Sequence, residues 1–409
     1  MRRVVVTGVG ALSPNGLDAE TSWQQLLAAK SGLGPISGFD ASSYPSRIAG
    51  EVRGFDASDF VEKKKLKEGD RFIHFALAAS EMALKMSGFE PDEEACERVG
   101  TLIGVGLHGI HQVEKTHSTL LNRGPTKVSP YFMPAMLSNL APGQVSMRYG
   151  FKGPSYTHTS ACASGAHAIA DAVRLIACGE IDAAVAGGSE ATVSPIGVAG
   201  FTSMRALSTR NDDPSGASRP FDRDRDGFVI AEGCGLLVLE EREAALKRGA
   251  TIIAEALGSG ATSDAYHLTK PAPGGEGAAR AMRQALKRAG VNPEQVDYVN
   301  AHGTSTPFGD LQECRAIRAA IGQPWVSSTK SMTGHLLGAA GGLEAVISCL
   351  ALRDGRVPPT INLDNVDEQI AELGLDLVPL EARDRKLKTV VSNSFGFGGT
   401  NCALVFGAA

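Results

Sequence analysis

Short apolar runs alternate with alanine-rich segments along the whole chain. The strand-like runs include 3–6, 99–103, 183–186 and 296–299, and the helical segments include 71–86, 164–178, 276–289, 311–321 and 342–353. Strands that are apolar on both faces occur in sheets buried between helices. The alternation therefore predicts an α/β fold.

Two of the predicted helices have similar surroundings, which indicates an internal duplication. Small residues at 163–166 lead into one of them and small residues at 337–341 lead into the other. Both helices are apolar nearly all round, as buried helices are. We therefore expect two related halves with no flexible linker between them. The polar stretch 208–226 is interpreted as a folded surface loop.

Composition and charge exclude several classes of protein. With 43% hydrophobic and 21% charged residues, the chain is not disordered, and its net charge of -5 argues against a nucleic-acid binder. No apolar run reaches the ~20 residues of a membrane span. The seven cysteines form no C-x-x-C pair, which favours free thiols in a reducing compartment, and we expect a cytoplasmic protein.

The N-terminal strand resembles the start of a dinucleotide-binding motif only superficially. Gly8 and Gly10 follow the apolar run, but the third glycine is replaced by Ser13, and Pro14 stands where a helix should continue. We interpret the segment as a first strand that ends in a glycine turn.

Cys162 is the strongest candidate for a nucleophile. It lies among very small residues in T-S-A-C-A-S-G, at a predicted junction between a strand and a helix. A thiol at a helix N-terminus is favoured as thiolate by the helix dipole, and small neighbours admit a substrate. We interpret the other six cysteines as buried structural residues, the usual setting of cysteine.

Two histidines lie in glycine-containing loops after predicted strands, a common location for catalytic residues in α/β folds. They are His302 in N-A-H-G-T-S-T and His335 in K-S-M-T-G-H. A third loop, G-F-G-G-T-N, carries Phe397, with Phe395 before it. Its backbone N–H groups are candidates for stabilising an oxyanion.

These four motifs, in this order, resemble the β-ketoacyl-acyl-carrier-protein synthases, the condensing enzymes of fatty acid synthesis. The resemblance covers essentially the whole chain, and the runs 205–210 and 263–267 are most similar to the elongating, type II members. It implies a thiolase-like fold in which two pseudo-repeated halves form a five-layered α-β-α-β-α sandwich. We expect an N-terminal half at 1–250 with the nucleophile and a C-terminal half at 251–409 with both histidines.

The implied reaction is a two-step Claisen condensation. The Cys162 thiolate takes an acyl group from acyl carrier protein, and malonyl-acyl carrier protein then loses carbon dioxide and attacks the acyl-enzyme. His302 and His335 would stabilise the enolate, while the backbone N–H groups of Cys162 and Phe397 would hold the acyl carbonyl. The resemblance implies no cofactor and no metal.

The resemblance also implies roles for residues around the site. Lys330 would shape its electrostatics with support from Glu344, Thr304 and Thr306 would bind the pantetheine arm, and Phe397 would gate the acyl tunnel. The residues matching the family's acyl pocket are Leu107, Phe132, Gly197 and Phe201. His108 and Phe308 depart from the family pattern by replacing smaller residues, so the sequence does not fix the preferred chain length.

Acyl carrier protein is acidic and is the expected partner, and a homodimer is the expected assembly. A basic docking surface is therefore predicted. The candidate docking residues are Lys63, Lys64, Lys65, Lys67 and Arg205.

Four alternative functions are compatible with parts of this pattern. A polyketide ketosynthase shares the same motifs and stays open. A thiolase needs a second cysteine as base, and Cys402 does not lie in that setting. A non-catalytic scaffold is disfavoured by the complete Cys162, His302 and His335 set. A Cys-His hydrolase would need a water-activating carboxylate near the histidines.

Overall fold

The computed structural model describes residues 1–409 and contains fourteen strands and thirteen α-helices. The strands are β1 Val4–Leu12, β2 Gly34–Pro35, β3 Ile48–Ala49, β4 Val99–Gly104, β5 Ser155–Tyr156, β6 Ala183–Glu190, β7 Gly233–Glu241, β8 Ala254–Ser263, β9 Tyr298–Asn300, β10 Trp325–Ser327, β11 Arg356–Val357, β12 Arg383–Asp384, β13 Thr389–Gly396 and β14 Thr400–Ala408. The helices are α1 Ala19–Leu27, α2 Arg71–Ser87, α3 Ile110–Arg123, α4 Phe132–Met136, α5 Leu140–Tyr149, α6 Ser164–Cys178, α7 Pro195–Ser203, α8 Arg242–Lys247, α9 Glu276–Ala289, α10 Pro307–Ala320, α11 Lys330–Thr333, α12 Ala340–Asp354 and α13 Glu368–Ala371.

Ten of the strands form one sheet, and their order repeats itself. The order is β10-β9-β13-β14-β8-β1-β7-β6-β4-β5. From either edge inwards, two parallel pairings are followed by two antiparallel ones. The two sets of five meet where β1 pairs with β8 over only two residues, Val5 and Val6. This repeat confirms the predicted duplication.

Helices cover both faces of each half and produce five layers. The largest buried cluster surrounds α6 and α12, which lie between the two halves of the sheet. A second cluster lies under α2 and α5 on the outer face of the first half, and a third lies under α9 and α10 on the outer face of the second half. The α-β-α-β-α sandwich is therefore confirmed.

The two central helices differ in how fully they are buried. Residues Ala340 to Leu352 of α12 are all buried, as the apolar sequence predicts. In α6, only eight of fifteen residues are buried, and Arg174 is exposed. The stretch Ala161–Cys178 has the length and apolarity of a membrane span, but 56% of it is buried inside the protein, as in the core helix of a globular fold.

Two interpretations of local sequence were wrong. Gly8 and Gly10 form no turn, because β1 continues through both to Leu12. A Cβ at Gly8 would lie 2.2 Å from the carbonyl oxygen of Ala83, and one at Gly10 would lie 2.0 Å from that of Ala79. These glycines allow α2 to pack directly against the strand.

The stretch 208–226 is not simply a surface loop. The segment from Gly216 to Asp222 is buried, and the Arg225 side chain, only 3% exposed, forms an ion pair with Asp367 at 2.9 Å. The stretch also contacts the second half, since Phe221 N–H donates to the Asp310 carboxylate and Ser218 Oγ donates to the Lys330 carbonyl oxygen. Its polar residues are buried because these partners satisfy them.

The close approach of the central helix α12 to the sheet depends on glycine. A Cβ at Gly342 would lie 2.3 Å from the carbonyl oxygen of Gly235 and 2.5 Å from the amide nitrogen of Gly188. Since both neighbours are backbone atoms of the sheet, we expect Gly342→Ala to destabilise the protein by about 1–3 kcal/mol. Chemical denaturation followed by circular dichroism measures this loss.

Gly143→Ala is the matched control, because its Cβ would approach only Leu140, at 4.0 Å, in helix α5. It should be neutral or stabilising by up to about 1 kcal/mol. Equal stability of Gly342→Ala and wild type would contradict close backbone packing at the centre.

Candidate active site

A tight turn at the start of α6 presents Cys162. Ala161–Ala163 form one 3₁₀ turn directly before the helix, and Ala161 has a φ of 50°. The Ser164 hydroxyl accepts a hydrogen bond from the Ser160 N–H at 2.9 Å and donates to the Ala161 carbonyl at 2.6 Å. This serine therefore holds the turn, and the thiol is buried at 9% exposure.

His335 is fixed in the equivalent place of the second half, just before α12. Its backbone N–H donates to Val229 at 2.8 Å, and its carbonyl accepts from Ala231 at 2.9 Å. A 3₁₀ turn, Leu337–Ala339, then leads into α12. The two bridging hydrogen bonds attach the histidine to a segment of the first half.

His302 lies two residues beyond the end of β9, in a turn held by a buried acid. Glu313 of α10 accepts hydrogen bonds from the N–H groups of His302 at 2.8 Å and Gly303 at 2.6 Å, and from Asn393 at 3.1 Å. Three donors around one carboxylate fix the backbone of the turn, so the imidazole has a defined position.

The structure brings Cys162, His302 and His335 together. One ligand-type atom from each lies within 4.8 Å of the others, and the two imidazole rings are 5.3 Å apart at 87°. Thiol and imidazole are also ligand types that zinc accepts, and no other set of three or more His, Cys, Asp or Glu residues in the chain meets this spacing. All three side chains line one pocket of about 510 Å³.

Burial dominates the electrostatics of the thiol. It raises the pKa of Cys162 to about 12, although the Lys330 charge and the backbone N–H of Phe397 act to lower it. The Glu190 and Glu344 carboxylates act in the same direction as burial. The expected helix N-terminal stabilisation of thiolate is thus outweighed in the free protein by the cost of burying a charge.

Both histidines are held in the neutral form. Burial, followed by the positive charge of Lys330, lowers the pKa of each imidazole well below its ordinary value. Lys330 is itself buried and forms an ion pair with Glu344 of α12. A neutral imidazole keeps one N–H donor, so the site offers two donors and no charge at its centre.

Several other residues predicted from the sequence lie on this pocket. They are Thr304, Thr306, Phe397, Phe201 and Arg205, together with Phe308. The two threonine hydroxyls are 3.1 Å apart. All six residues therefore line the same pocket as His302 and His335.

Other predicted residues lie elsewhere. Glu344 contacts Lys330 and does not line the cavity, so its place is behind the site. Three of the residues matched to the acyl pocket, and His108, also lie off this cavity; they are Leu107, Phe132 and Gly197. Leu107 is 39% exposed, because the loop that carries it lies at the surface of this chain.

The lysine run is exposed on a 3₁₀ helix, Lys63–Glu68. Lys64 and Lys65 form ion pairs with Glu62, and Lys67 lies 4.6 Å from the centroid of the Tyr131 ring. Lys63, Lys64, Lys65 and Lys67 do not line the pocket, whereas Arg205 does.

Two buried acids beside the catalytic residues lie outside the sequence motifs. One is Glu313, described above. The other is Glu190 at the end of β6, which accepts hydrogen bonds from the N–H groups of Gly106, Leu107 and Gly338. Burial raises the pKa of Glu190 to about 7. A glutamate at the last position of an apolar strand is the available indication of a buried acid that binds backbone.

We expect the alkylation rate of Cys162 by iodoacetamide to rise with pH through 9 without a plateau, since its thiol pKa is about 12. Glu190→Gln removes a nearby negative charge and should accelerate alkylation above pH 7, where Glu190 is ionised, and change little at pH 6. Lys330→Met should slow it. Peptide mass spectrometry separates Cys162 from Cys178, which is exposed at the end of α6 and not buried as the sequence indicated, whereas the other five cysteines are buried. A plateau below pH 8 would contradict the dominance of burial.

Comparisons with known proteins identify the family. The profile described as "Beta-ketoacyl synthase, N-terminal domain" matches residues 1–245, and "Beta-ketoacyl synthase, C-terminal domain" matches residues 253–364. A relative from Coxiella burnetii named "3-oxoacyl-[acyl-carrier-protein] synthase 2" is 52% identical, over 99% of this chain and 98% of the relative.

Solved structures agree with the sequence comparison. A beta-ketoacyl synthase from Burkholderia phymatum is 37% identical, with a TM-score of 0.93 over 100% of both chains. A second match is a chain from the structure of a type II PKS acyl-carrier protein in complex with its ketosynthase. That chain is 33% identical, with a TM-score of 0.91 over 100% of this chain and 99% of that one. The fold, the pocket and these matches together show that the chain belongs to the beta-ketoacyl synthase family.

Proposed function

We propose that this chain is an elongating 3-oxoacyl-[acyl-carrier-protein] synthase. It condenses an acyl group held on Cys162 with a malonyl group and releases 3-ketoacyl-acyl carrier protein and carbon dioxide. The observation that carries this proposal is the buried thiol facing two neutral imidazoles in one pocket. The full-length relative at 52% identity has the name of this activity, whereas the ketosynthase of the type II PKS complex is 33% identical, so fatty acid elongation is favoured over polyketide synthesis.

In the first step, Cys162 Sγ attacks the thioester carbonyl of acyl-acyl carrier protein. The new Sγ–C bond replaces the carrier's S–C bond, and the proton of the thiol ends on the carrier sulfur. The backbone N–H groups of Cys162 and Phe397 are the proposed donors to the tetrahedral oxyanion, and the N–H of Phe397 already faces the thiol.

In the second step, malonyl-acyl carrier protein binds and its carboxylate leaves as carbon dioxide. The electron pair of the broken C–C bond passes into an enolate, whose oxygen accepts N–H donors from His302 and His335. The enolate carbon attacks the acyl carbonyl, the Cys162 thiolate is expelled, and a proton from solvent restores the thiol for the next cycle. Neutral imidazoles suit this role, because each donates one N–H hydrogen bond to the enolate oxygen but is too weak an acid to protonate the enolate carbon.

The acyl chain requires apolar surroundings near the thiol. Cys162 belongs to a small apolar cluster with Val193, Val198 and Phe228, and Phe201 packs against Phe228. We propose that the acyl chain extends toward this cluster, with Phe397 as the gate. Leu107, Phe132 and Gly197 remain proposed lining residues farther along the chain.

The proposed partner is acyl carrier protein, with docking residues Lys63, Lys64, Lys65, Lys67 and Arg205. The exposed position of all five side chains and the place of Arg205 on the pocket support this assignment. A cytoplasmic location fits seven free cysteines. We also propose the division of the chain at 250/251, in the connection between β7 and β8.

Two alternatives lose support. A thiolase would need Cys402 as a base, but Cys402 is fully buried in β14 and does not line the pocket. A hydrolase would need a carboxylate to activate water, but Glu313 accepts three hydrogen bonds from backbone and amide donors.

We expect wild-type protein to gain one acyl mass from acyl-acyl carrier protein and Cys162→Ala to gain none. His302→Ala and His335→Ala should still be acylated, while decarboxylation of malonyl-acyl carrier protein falls about 10²–10³-fold for each lost donor. Intact-protein mass spectrometry and carbon dioxide release measure the two steps. Cys178→Ala, which removes an exposed cysteine outside the pocket, is the control and should behave as wild type. Absence of acylation in wild type across all chain lengths would refute the proposed function.

We also propose a homodimer, supported by the exposed apolar surface of α3. This helix has no buried residue, and Leu120 and Leu121 are 43% and 70% exposed. Met133 near it and Ile196 on α7, which packs on α3, are also about half exposed. Packing within its own chain stabilises such a helix little, so we propose that a second copy of the chain packs against it.

We expect a solution mass near twice 42.6 kDa and a shift toward one copy in Leu121→Asp, because the substitution places a charge in the apolar contact. Multi-angle light scattering measures the mass. Leu246→Asp, on the exposed face of α8, should leave it unchanged. A wild-type mass of one copy at micromolar concentration would refute the dimer.

A further inference from the structure

The lining of the pocket contains two cations without partners. The side chains of Arg205 and Lys270 form no ion pair and no hydrogen bond within the chain. Lys330, deeper in the protein, is paired with Glu344, and Arg225 is paired with Asp367. Positive charge that is free to bind a ligand therefore lies on the exposed part of the pocket lining.

The acids of the same lining are already engaged. Asp264 accepts hydrogen bonds from Asn401 at 2.7 Å and the Ala272 N–H at 3.0 Å, and Asp226 accepts from the Thr209 N–H at 3.2 Å. Glu313 and Asp310 are buried and bind backbone N–H groups. None of these four carboxylates forms an ion pair with Arg205 or Lys270, so both cations are free to bind an incoming anion.

An aromatic ring contacts one of these two cations. Phe308 is 64% exposed, and Lys270 Nζ lies 5.8 Å from the centroid of its ring. Phe308 follows Thr306 by two residues, and Thr304 and Thr306 form the hydroxyl pair proposed to hold the pantetheine arm. The cation–π contact therefore positions the ammonium group next to the path of that arm.

We infer that Lys270, positioned by Phe308, and Arg205 bind the phosphate of the phosphopantetheine arm at the pocket entrance. This inference rests on the proposed function, since it concerns the arm that delivers the thioester. A thioester that reaches Cys162 past the two threonines leaves its phosphate nearer the entrance, where the unpaired cations lie. Arg offers a planar fork of N–H donors and Lys offers a compact charge, and both are common phosphate ligands.

The test compares two small donors without carrier protein, an acyl-pantetheine and the same acyl-4′-phosphopantetheine. The readout is the ratio of their second-order rates of Cys162 acylation, followed by intact-protein mass spectrometry. Wild type should prefer the phosphorylated donor about fourfold to ninefold at low salt, because two exposed ion pairs of about twofold to threefold each combine. Added salt should reduce this preference, since both cations are exposed.

Lys270→Ala should lower the ratio to about twofold to threefold, the double variant Lys270→Ala/Arg205→Ala should bring it close to one, and Lys270→Arg should retain most of the preference. Phe308→Ala should lower the ratio less than Lys270→Ala, because the cation stays and only its position is loosened. Lys247→Ala, an exposed lysine on α8, is the control and should keep the wild-type ratio.

Each failure has a separate meaning. If wild type is acylated by both donors at equal rates, or if Lys270→Ala keeps the full preference, the phosphate site is refuted and the proposed function stands. If wild type is acylated by neither donor and by no acyl-acyl carrier protein, the proposed function itself fails.

Discussion

The contact between the two central helices is the constraint on which the active site depends. At the start of α6 and α12, a Cβ at Gly165 would lie 2.8 Å from the Gly342 amide nitrogen, and one at Gly341 would lie 2.8 Å from that of Ala166. The helices can therefore begin side by side only because glycine stands at these positions. Cys162 precedes one helix and His335 precedes the other, so this approach sets the distance between nucleophile and donor.

Burial has opposite consequences for the groups that this contact brings together. It lowers the pKa of both imidazoles, which favours neutral N–H donors, and it raises the pKa of the thiol, which disfavours the nucleophilic thiolate. Lys330 strengthens the first effect and opposes the second. Its charge is kept in the interior by the ion pair with Glu344, and the pair lies behind the pocket rather than on it. One buried cation thus lowers the pKa of the thiol and of both imidazoles, and it does so without occupying space needed by the substrate.

The sequence predicted the parts of the structure that depend on local pattern. The bounds of α2, α6 and α9 agree with their apolar and alanine-rich segments, and the motifs around Cys162, His302 and His335 indicated the residues that meet in the pocket. Long-range contacts were harder to predict. Gly8 and Gly10 resembled a turn because the feature that requires glycine there, close packing against the backbone of α2, involves residues distant in sequence. The same holds for 208–226, whose polar residues are buried by partners from the second half.

The distribution of charge in the pocket follows from what has to pass through it. An apolar acyl chain and a developing enolate are both served by a centre with neutral donors, because a fixed charge there would be costly to desolvate. The arm that delivers the chain is polar and anionic only at its far end. Unpaired cations are consequently useful at the entrance and harmful at the centre, and the structure has Arg205 and Lys270 exposed and unpaired but Lys330 buried and neutralised by Glu344. The fold achieves this separation because the central helices bury the catalytic groups, while loops from both halves form the rim.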